Sequence, residues 1–358
     1  MLPGRASRQT AIWPLTSSPL RHSSATQPVL QHPSQSHAAL LTASVGRSRI
    51  REVGARIAVA NAPVSYGAFE LTVGILPNVP AADTVLDEVA AAGYAGIDLG
   101  PLGYLGHRDD LHAGLARRGL SLSGGFVQLP FSDPVGMAYA MRDVDAVLDV
   151  FDSAKPQTGG LAARPTIADA GTDLRRARPC QAARDHSLGL DAEGWKRFAA
   201  GVEMTVARCR ERGYEPAFHH ETGTYIEAVW EIEKLLELTS TNLCLDTGHL
   251  LLGGGDPVRA LGEWAGRINH MHLKDARRAV VDQIVREATP VAGIWRLQAF
   301  CRLGDGDLDV DGVLDALRPA YSGWLVVEQD ILPDPATPPG KPVADQRANR
   351  EYLRRRGF

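Results

Sequence analysis

The sequence predicts a parallel (β/α)8 barrel preceded by an N-terminal extension of different character. Three observations carry that prediction. Short β-rich runs alternate with longer helical stretches about eight times from Arg56 onward, no GxGxxG turn follows the first strand, and four late strands end in imidazoles and carboxylates. Such alternation is the signature of a parallel α/β fold. The missing glycine turn argues against the doubly wound, dinucleotide-binding version of that fold. In a barrel, side chains at the carboxyl ends of strands converge on one mouth, and chemistry collects there.

Taken in order, strands are predicted at 57–62, 96–99 and 120–127, then near 165–168, where the signal is weakest. Four more follow at 216–220, 242–246, 268–273 and 323–328. Helical spacing of Ala, Leu, Glu and Arg covers 83–92, 109–118, 135–151, 195–212, 225–238, 257–265 and 310–317. The stretch 153–187 departs from the pattern. The first 55 residues form a segment rich in Ser, Pro, His and Gln, with six arginines and no Asp or Glu before Glu52. It cannot bury enough apolar surface to offset its chain entropy, so residues 1–55 are expected to be disordered and 56–358 to form one catalytic barrel. Its Arg- and Ser-rich, acid-poor composition faintly resembles a transit peptide, but no amphipathic stripe supports that reading.

A net charge of -4 and a pI near 6.3 argue against nucleic acid or an anionic membrane as the main partner. The longest apolar runs, 250–252 and 324–327, fall far short of the roughly 20 residues that a membrane span needs. A soluble, cytoplasmic chain is therefore expected, with a small molecule as its partner and homo-oligomerisation left open. Cys180, Cys209, Cys244 and Cys301 lie far apart and read as small buried hydrophobes of a reducing compartment.

The chemistry sits at the strand ends. One strand closes on Phe218-His219-His220-Glu221, the next on Leu243-Cys244-Leu245-Asp246, a third on His270-Met271-His272-Leu273-Lys274 and the last on Val326-Val327-Glu328. Alternation puts His219 and Glu221 on one face of their strand, and His270, His272 and Lys274 on one face of theirs. A buried carboxylate at the end of an apolar run costs several kcal/mol (about the desolvation of an unpaired charge) unless it is paired or metal-bound. Mixed oxygen and imidazole donors suit Mn2+, Co2+, Fe2+, Mg2+ or Zn2+. Taken singly, Asp246 before Thr-Gly-His also reads as a helix cap, and His270 as a structural histidine. Glu70, Asp98 and Tyr104 follow the early strands among glycines and are substrate-binding candidates. The segment 275–303 is long for a connection and reads as a lid or a binding insertion, with Arg277 and Arg278 at its start.

These residues resemble the xylose isomerase-like TIM-barrel superfamily of sugar isomerases, epimerases and dehydratases. Leu245-Asp246-Thr247-Gly248-His249 and His270-Met271-His272-Leu273-Lys274-Asp275 carry the superfamily likeness over roughly residues 57–335. Gly100-Pro101-Leu102-Gly103-Tyr104 and His219-His220-Glu221-Thr222-Gly223-Thr224 are similar to the inosose dehydratase group. The resemblance implies a divalent metal, Mn2+ or Co2+ foremost, on Asp246, His272 and Glu328, with His249 near substrate. It implies a fourth ligand at His219, where the family usually has Glu; Glu221 shares that face. His220 joins the substrate-binding candidates. Asp98 stands where the family commonly has Glu, a shorter acid that alters reach toward substrate.

A keto-polyol at such a site would have its α-proton acidified by Lewis-acid polarisation. Glu328, Glu221 or His249 could remove the proton, and Lys274 or a histidine could protonate the departing hydroxyl. The sequence therefore points to a hydro-lyase acting on 2-keto-myo-inositol in inositol catabolism, with a keto-sugar isomerase or epimerase as the alternative. An endonuclease reading is weaker, because the chain lacks a basic face and a second histidine cluster.

Overall fold

The barrel wall is assembled from short apolar strands, and the reason lies in their burial. Gly323–Val327, for example, is buried at every position, as expected of a strand covered on one face by helices and on the other by the barrel interior. The computed structural model describes residues 56–154, 160–333, 338 and 340–358. The extension expected to be disordered, 1–55, lies outside the described residues.

The wall strands are β1 (Ile57–Asn61), β2 (Gly96–Ile97), β3 (Ser121–Leu122), β4 (Gly124–Leu129), β5 (Arg164–Asp169), β6 (Ala217–His219), β7 (Asn242–Asp246) and β8 (Ile268–Leu273). After them come the two-residue strands β9 (Asp275–Ala276) and β10 (Phe300–Cys301), which pair antiparallel outside the wall, and β11 (Gly323–Val327), which completes it. The wall runs β3-β2-β1-β11-β8-β7-β6-β5-β4, with every pairing parallel. Only Ser123 separates β3 from β4, so the two are one interrupted strand and the ring closes with eight staves. The expected run 120–127 is thus split, because Ser123 turns its hydroxyl onto the Asp98 carboxylate. Its backbone still bridges the neighbours, donating to Ile97 O at 3.0 Å and accepting from Arg164 N at 3.0 Å.

The weakly marked strand near 165–168 is a full stave. Arg164–Asp169 pairs with all of Gly124–Leu129, and the signal was weak because Pro165 lies in register inside it. The helix expected over 225–238 begins only at Val229, since the four preceding residues are held in another conformation. Tyr225 N donates to Asp169 Oδ2 at 2.9 Å, while Glu227 N and Ala228 N donate to Glu231 Oε2 at 2.9 and 2.8 Å. Five other helices start where a short polar side chain accepts a first-turn N–H: Asp133, Thr172, Asp191, Asp256 and Asp309.

Two apolar layers result. The larger lies between wall and helices, with Phe131, Phe198 and Phe218 packed at ring separations of 5.2–6.1 Å. The smaller fills the bore below the mouth and consists of Ala60, Ala62, Trp324 and Val326. Gly96 makes room for it: a Cβ there would stand 2.8 Å from the Trp324 ring. No described helix is long and apolar enough to cross a membrane.

Asp169, the last residue of β5, generates a pH prediction. Burial pushes its carboxyl up from 3.8 to about 6, against the pull of the Tyr225 N–H. The native state thus holds this proton more tightly than the unfolded chain, so the stabilisation is full below pH 3.8 and is lost as pH rises through 6. Across that window wild type should lose up to about 3 kcal/mol relative to Asp169→Asn, which keeps an acceptor for Tyr225. Urea midpoints of both proteins at pH 4, 5, 6 and 7 check the difference.

Candidate active site

At the carboxyl ends of the wall, Asp98, His219, Asp246, His272, Lys274, Glu328 and Asp330 converge. Alternation puts these side chains on the inward face of their strands, and all are buried. His272 is the hub. Its Nδ1 lies 3.1 Å from Glu328 Oε2 and 3.7 Å from Asp246 Oδ2, and its Nε2 lies 3.5 Å from Asp98 Oδ2. His219 Nε2 stands 3.4 Å from Asp246 Oδ2. Two sets with donor atoms within 4.8 Å of one another emerge, His219–Asp246–His272 and Asp98–His272–Glu328.

Asp246 divides its oxygens between two tasks. Oδ1 accepts from His249 N at 2.9 Å and caps the helix Thr247–Leu252, while Oδ2 faces the cluster. The cap therefore uses a different oxygen from the one that the ligand reading requires. His220 Nε2 accepts from Asp246 N at 3.2 Å, which braces the end of β7 from behind. Close packing fixes Asp98 as well: a Cβ on Gly124 would come within 2.9 Å of Asp98 Oδ1.

Lys274 neutralises the carboxylates. Its Nζ lies 3.2 Å from Asp246 Oδ2, 3.0 Å from Glu328 Oε2 and 2.8 Å from Asp330 Oδ1. Burial opposes its charge, but Asp246, Asp330 and Glu328 outweigh burial and hold the ammonium well above its usual range. Burial likewise opposes ionisation of Glu328 and Asp246. Lys274, joined by His272 at Glu328, still holds both carboxyls below the usual range. Asp330 is different: burial pushes it up to about 6 against Lys274.

Above this cluster a cavity is walled by Phe69, Glu70, Phe126, Glu221, His249 and Trp295. His249 Nδ1 accepts from the Thr222 backbone N–H at 3.3 Å, so in the neutral ring the proton sits on Nε2, which faces Asp330 at 3.9 Å. Burial and then Lys274 hold His249 well below its ordinary pKa, which keeps the ring neutral. Half-buried Glu221 receives Gln128 Nε2 at 3.3 Å, and burial pushes its carboxyl up to about 8. A wider groove of about 730 Å3 adjoins the cavity and shares Trp295 and Asp330 with it.

The structure thus brings together Glu70, Asp98, His219, Glu221, Asp246, His249, His272, Lys274 and Glu328. Four expected substrate contacts fall elsewhere. Tyr104 donates its hydroxyl to Pro80 O at 2.7 Å, and His220 is the brace just described. Arg277 bonds Gln298 O at 2.9 Å, and the exposed Arg278 donates its backbone N–H to Asp307 Oδ2 at 2.8 Å. The segment expected as a lid or binding insertion contributes Trp295 to the cavity wall and Phe300 to the adjoining groove, whereas Arg277 and Arg278 line neither. Asp330 went unread although it shares the inward face of Glu328 two residues earlier. Trp295 left no periodic signal.

The loop carrying Glu221 and Thr222 is held from behind by the atypical stretch 153–187. Arg175, fully buried, makes a bidentate pair with Glu231 at 3.0 and 3.1 Å and approaches Glu227 at 3.8 Å. Glu227 in turn accepts from Gly223 N at 2.6 Å.

The sequence matches the profile of the xylose isomerase-like TIM barrel family over residues 86–356, and the chain belongs to that family. An inosose dehydratase of Geobacillus kaustophilus is 30% identical over 278 residues, 76% of this chain and 86% of that one. The chain spans about half the length of the Clostridium perfringens inosose dehydratase, 35% identical over 158 residues, 43% of this chain and 53% of that relative. Among solved structures, the IolI protein with a binding zinc atom superposes with a TM-score of 0.59 at 13% identity, covering 83% of this chain and 96% of that one. That likeness is one of fold.

Replacing Arg175 by Ala should leave two buried carboxylates facing no cation and cost about 3–5 kcal/mol. Chemical denaturation checks the loss, and faster hydrogen exchange at Thr222–Thr224 should accompany it.

Proposed function

We propose that the chain is a metal-dependent hydro-lyase that dehydrates a keto-polyol, with 2-keto-myo-inositol as substrate. One observation carries the reading: two donor sets of nitrogen and carboxylate oxygen share His272 at the barrel mouth, beneath a cavity lined by acid–base groups. The curated relatives named inosose dehydratase support the substrate.

The donor set fits a divalent ion. His219 Nδ1 is buried without a hydrogen-bond partner among the described residues, and the two ring nitrogens of His272 are turned toward carboxylates on both sides. Around them Asp98, Asp246, Glu328 and Asp330 outnumber the one ammonium of Lys274. His219, Asp246, His272 and Glu328 would hold the ion, with Asp98 close enough to join them. An ion of the Mn2+ or Co2+ type would supply Lewis-acid polarisation of the substrate ketone.

The rest is done by side chains. Glu221, whose carboxyl burial pushes up to about 8, takes the proton from the carbon beside the ketone when it is ionised. The released C–H electron pair forms the new C=C bond, and the C–O bond of the β-hydroxyl breaks. The Lys274 ammonium gives that hydroxyl a proton and is left as the neutral amine, while the neutral His249 donates an Nε2–H hydrogen bond to it, so it departs as water. Glu328 is a poor base here, because Lys274 and His272 hold it ionised and occupied. Glu70, at the rim, and the Trp295 and Phe126 rings bound the substrate ring.

Purified protein loaded with Mn2+ or Co2+ should convert inosose to a dione, followed by its absorbance. Chelation should abolish turnover, and readdition of the ion should restore it. Asp246→Asn, which retains a helix-capping side chain, should lower metal content and cut kcat by at least about 100-fold. A clean epimer with no dione would overturn the dehydratase reading in favour of an epimerase. Unchanged metal content in Asp246→Asn would overturn the assigned site.

A further inference from the structure

Below the mouth, the barrel interior carries a second group of donors that the proposed chemistry does not use. Cys244 and His270 are register partners on β7 and β8, two residues before the partnered Asp246 and His272. Alternation puts them on the same inward face, one step deeper. One ligand atom from each of Cys244, His270 and His272 lies within 4.8 Å of the other two, and all three residues are buried. His270 is 0% exposed, and neither of its ring nitrogens has a hydrogen-bond partner among the described residues. A buried imidazole left in that state loses the hydrogen bonds that water gave it, so such a nitrogen calls for a partner. The ring packs edge-on against His272 with centroids 5.3 Å apart, a contact that satisfies neither nitrogen.

We propose that Cys244, His270 and His272 form a second metal seat, selective for soft divalent ions such as Zn2+ or Cd2+. Thiolate and imidazole donors prefer these ions, whereas the carboxylate-rich mouth suits harder ones. Binding forms a bond from Cys244 Sγ to the ion and releases the thiol proton to the buffer, with no change of oxidation state. His272 belongs to both groups, so an ion in the deep seat withdraws that imidazole from the mouth. The two seats compete for one side chain, and a thiophilic ion inhibits enzyme loaded with Mn2+. The inhibition rests on the proposed function; the deep seat does not.

The test is a titration of metal-free, full-length protein with Cd2+ alone, followed by the thiolate-to-metal charge-transfer band in the near ultraviolet. Wild type should show the band saturating at one ion per chain. Cys244→Ser and Cys244→Ala should lose it, His270→Ala should weaken binding, and Asp246→Asn should retain it. Near-ultraviolet circular dichroism like that of wild type shows that each variant is folded, and agreement of the two Cys244 variants guards against a packing effect. No band in wild type would overturn the proposal. So would a band that survives Cys244→Ser, or one that vanishes in Asp246→Asn. Failure of the mouth site reads out separately, as unchanged Mn2+ content in Asp246→Asn.

Discussion

Buried negative charge at the barrel mouth is the constraint on which the rest of the structure depends. Asp98, Asp246, Glu328 and Asp330 are all buried, and their ionised forms would each cost several kcal/mol (about the effective penalty per buried ion) if left unpaired. Lys274 meets three of them within 3.2 Å, and His272 lies against Asp98, Asp246 and Glu328. One ammonium and one imidazole do not balance four carboxylates. That imbalance is what the proposed divalent ion would offset, and it sets the protonation of the groups around it.

Backbone geometry serves the same end. The break at Ser123 aims a hydroxyl at Asp98, and Gly124 gives that carboxylate room that a side chain would take. The helix starting at Thr247 uses one oxygen of Asp246 as its cap, which orients the other toward the cluster. Thr247 Oγ1 in turn accepts from Lys274 N at 2.8 Å and donates to Lys274 O at 2.9 Å, tying the ends of β7 and β8 together. A change in any of these elements moves a donor, because each is held by a partner that is itself buried.

Farther out, polar networks fix the surrounding loops. Arg175 and its two glutamates hold the turn after β6, where Glu221 and Thr222 sit. On the opposite side the helix Lys341–Arg355 reaches the site through Gln346, which accepts from Asn61 Nδ2 at 3.0 Å and donates to Gln329 Oε1 at 3.3 Å. Gln329 lies between Glu328 and Asp330, so the last helix helps to set both carboxylates.

The sequence by itself determined the barrel and most of the residues that gather at its candidate site. Strand periodicity is a local property, and residues two apart on a strand must share a face; this made His219, Glu221, Asp246, His272, Lys274 and Glu328 legible. It also defined the ends of β7 and β8, the first closing on Asp246 and the second just before Lys274. The tertiary structure decided what depends on contacts between distant segments. It joined Asp98 to His272 across 174 positions of sequence, sent Tyr104 to Pro80, and placed Trp295 rather than Arg277 or Arg278 in the cavity wall. Pro165 hid a stave whose pairing only its neighbour β4 reveals, because a strand buried between two partners owes its stability to them more than to its own residues.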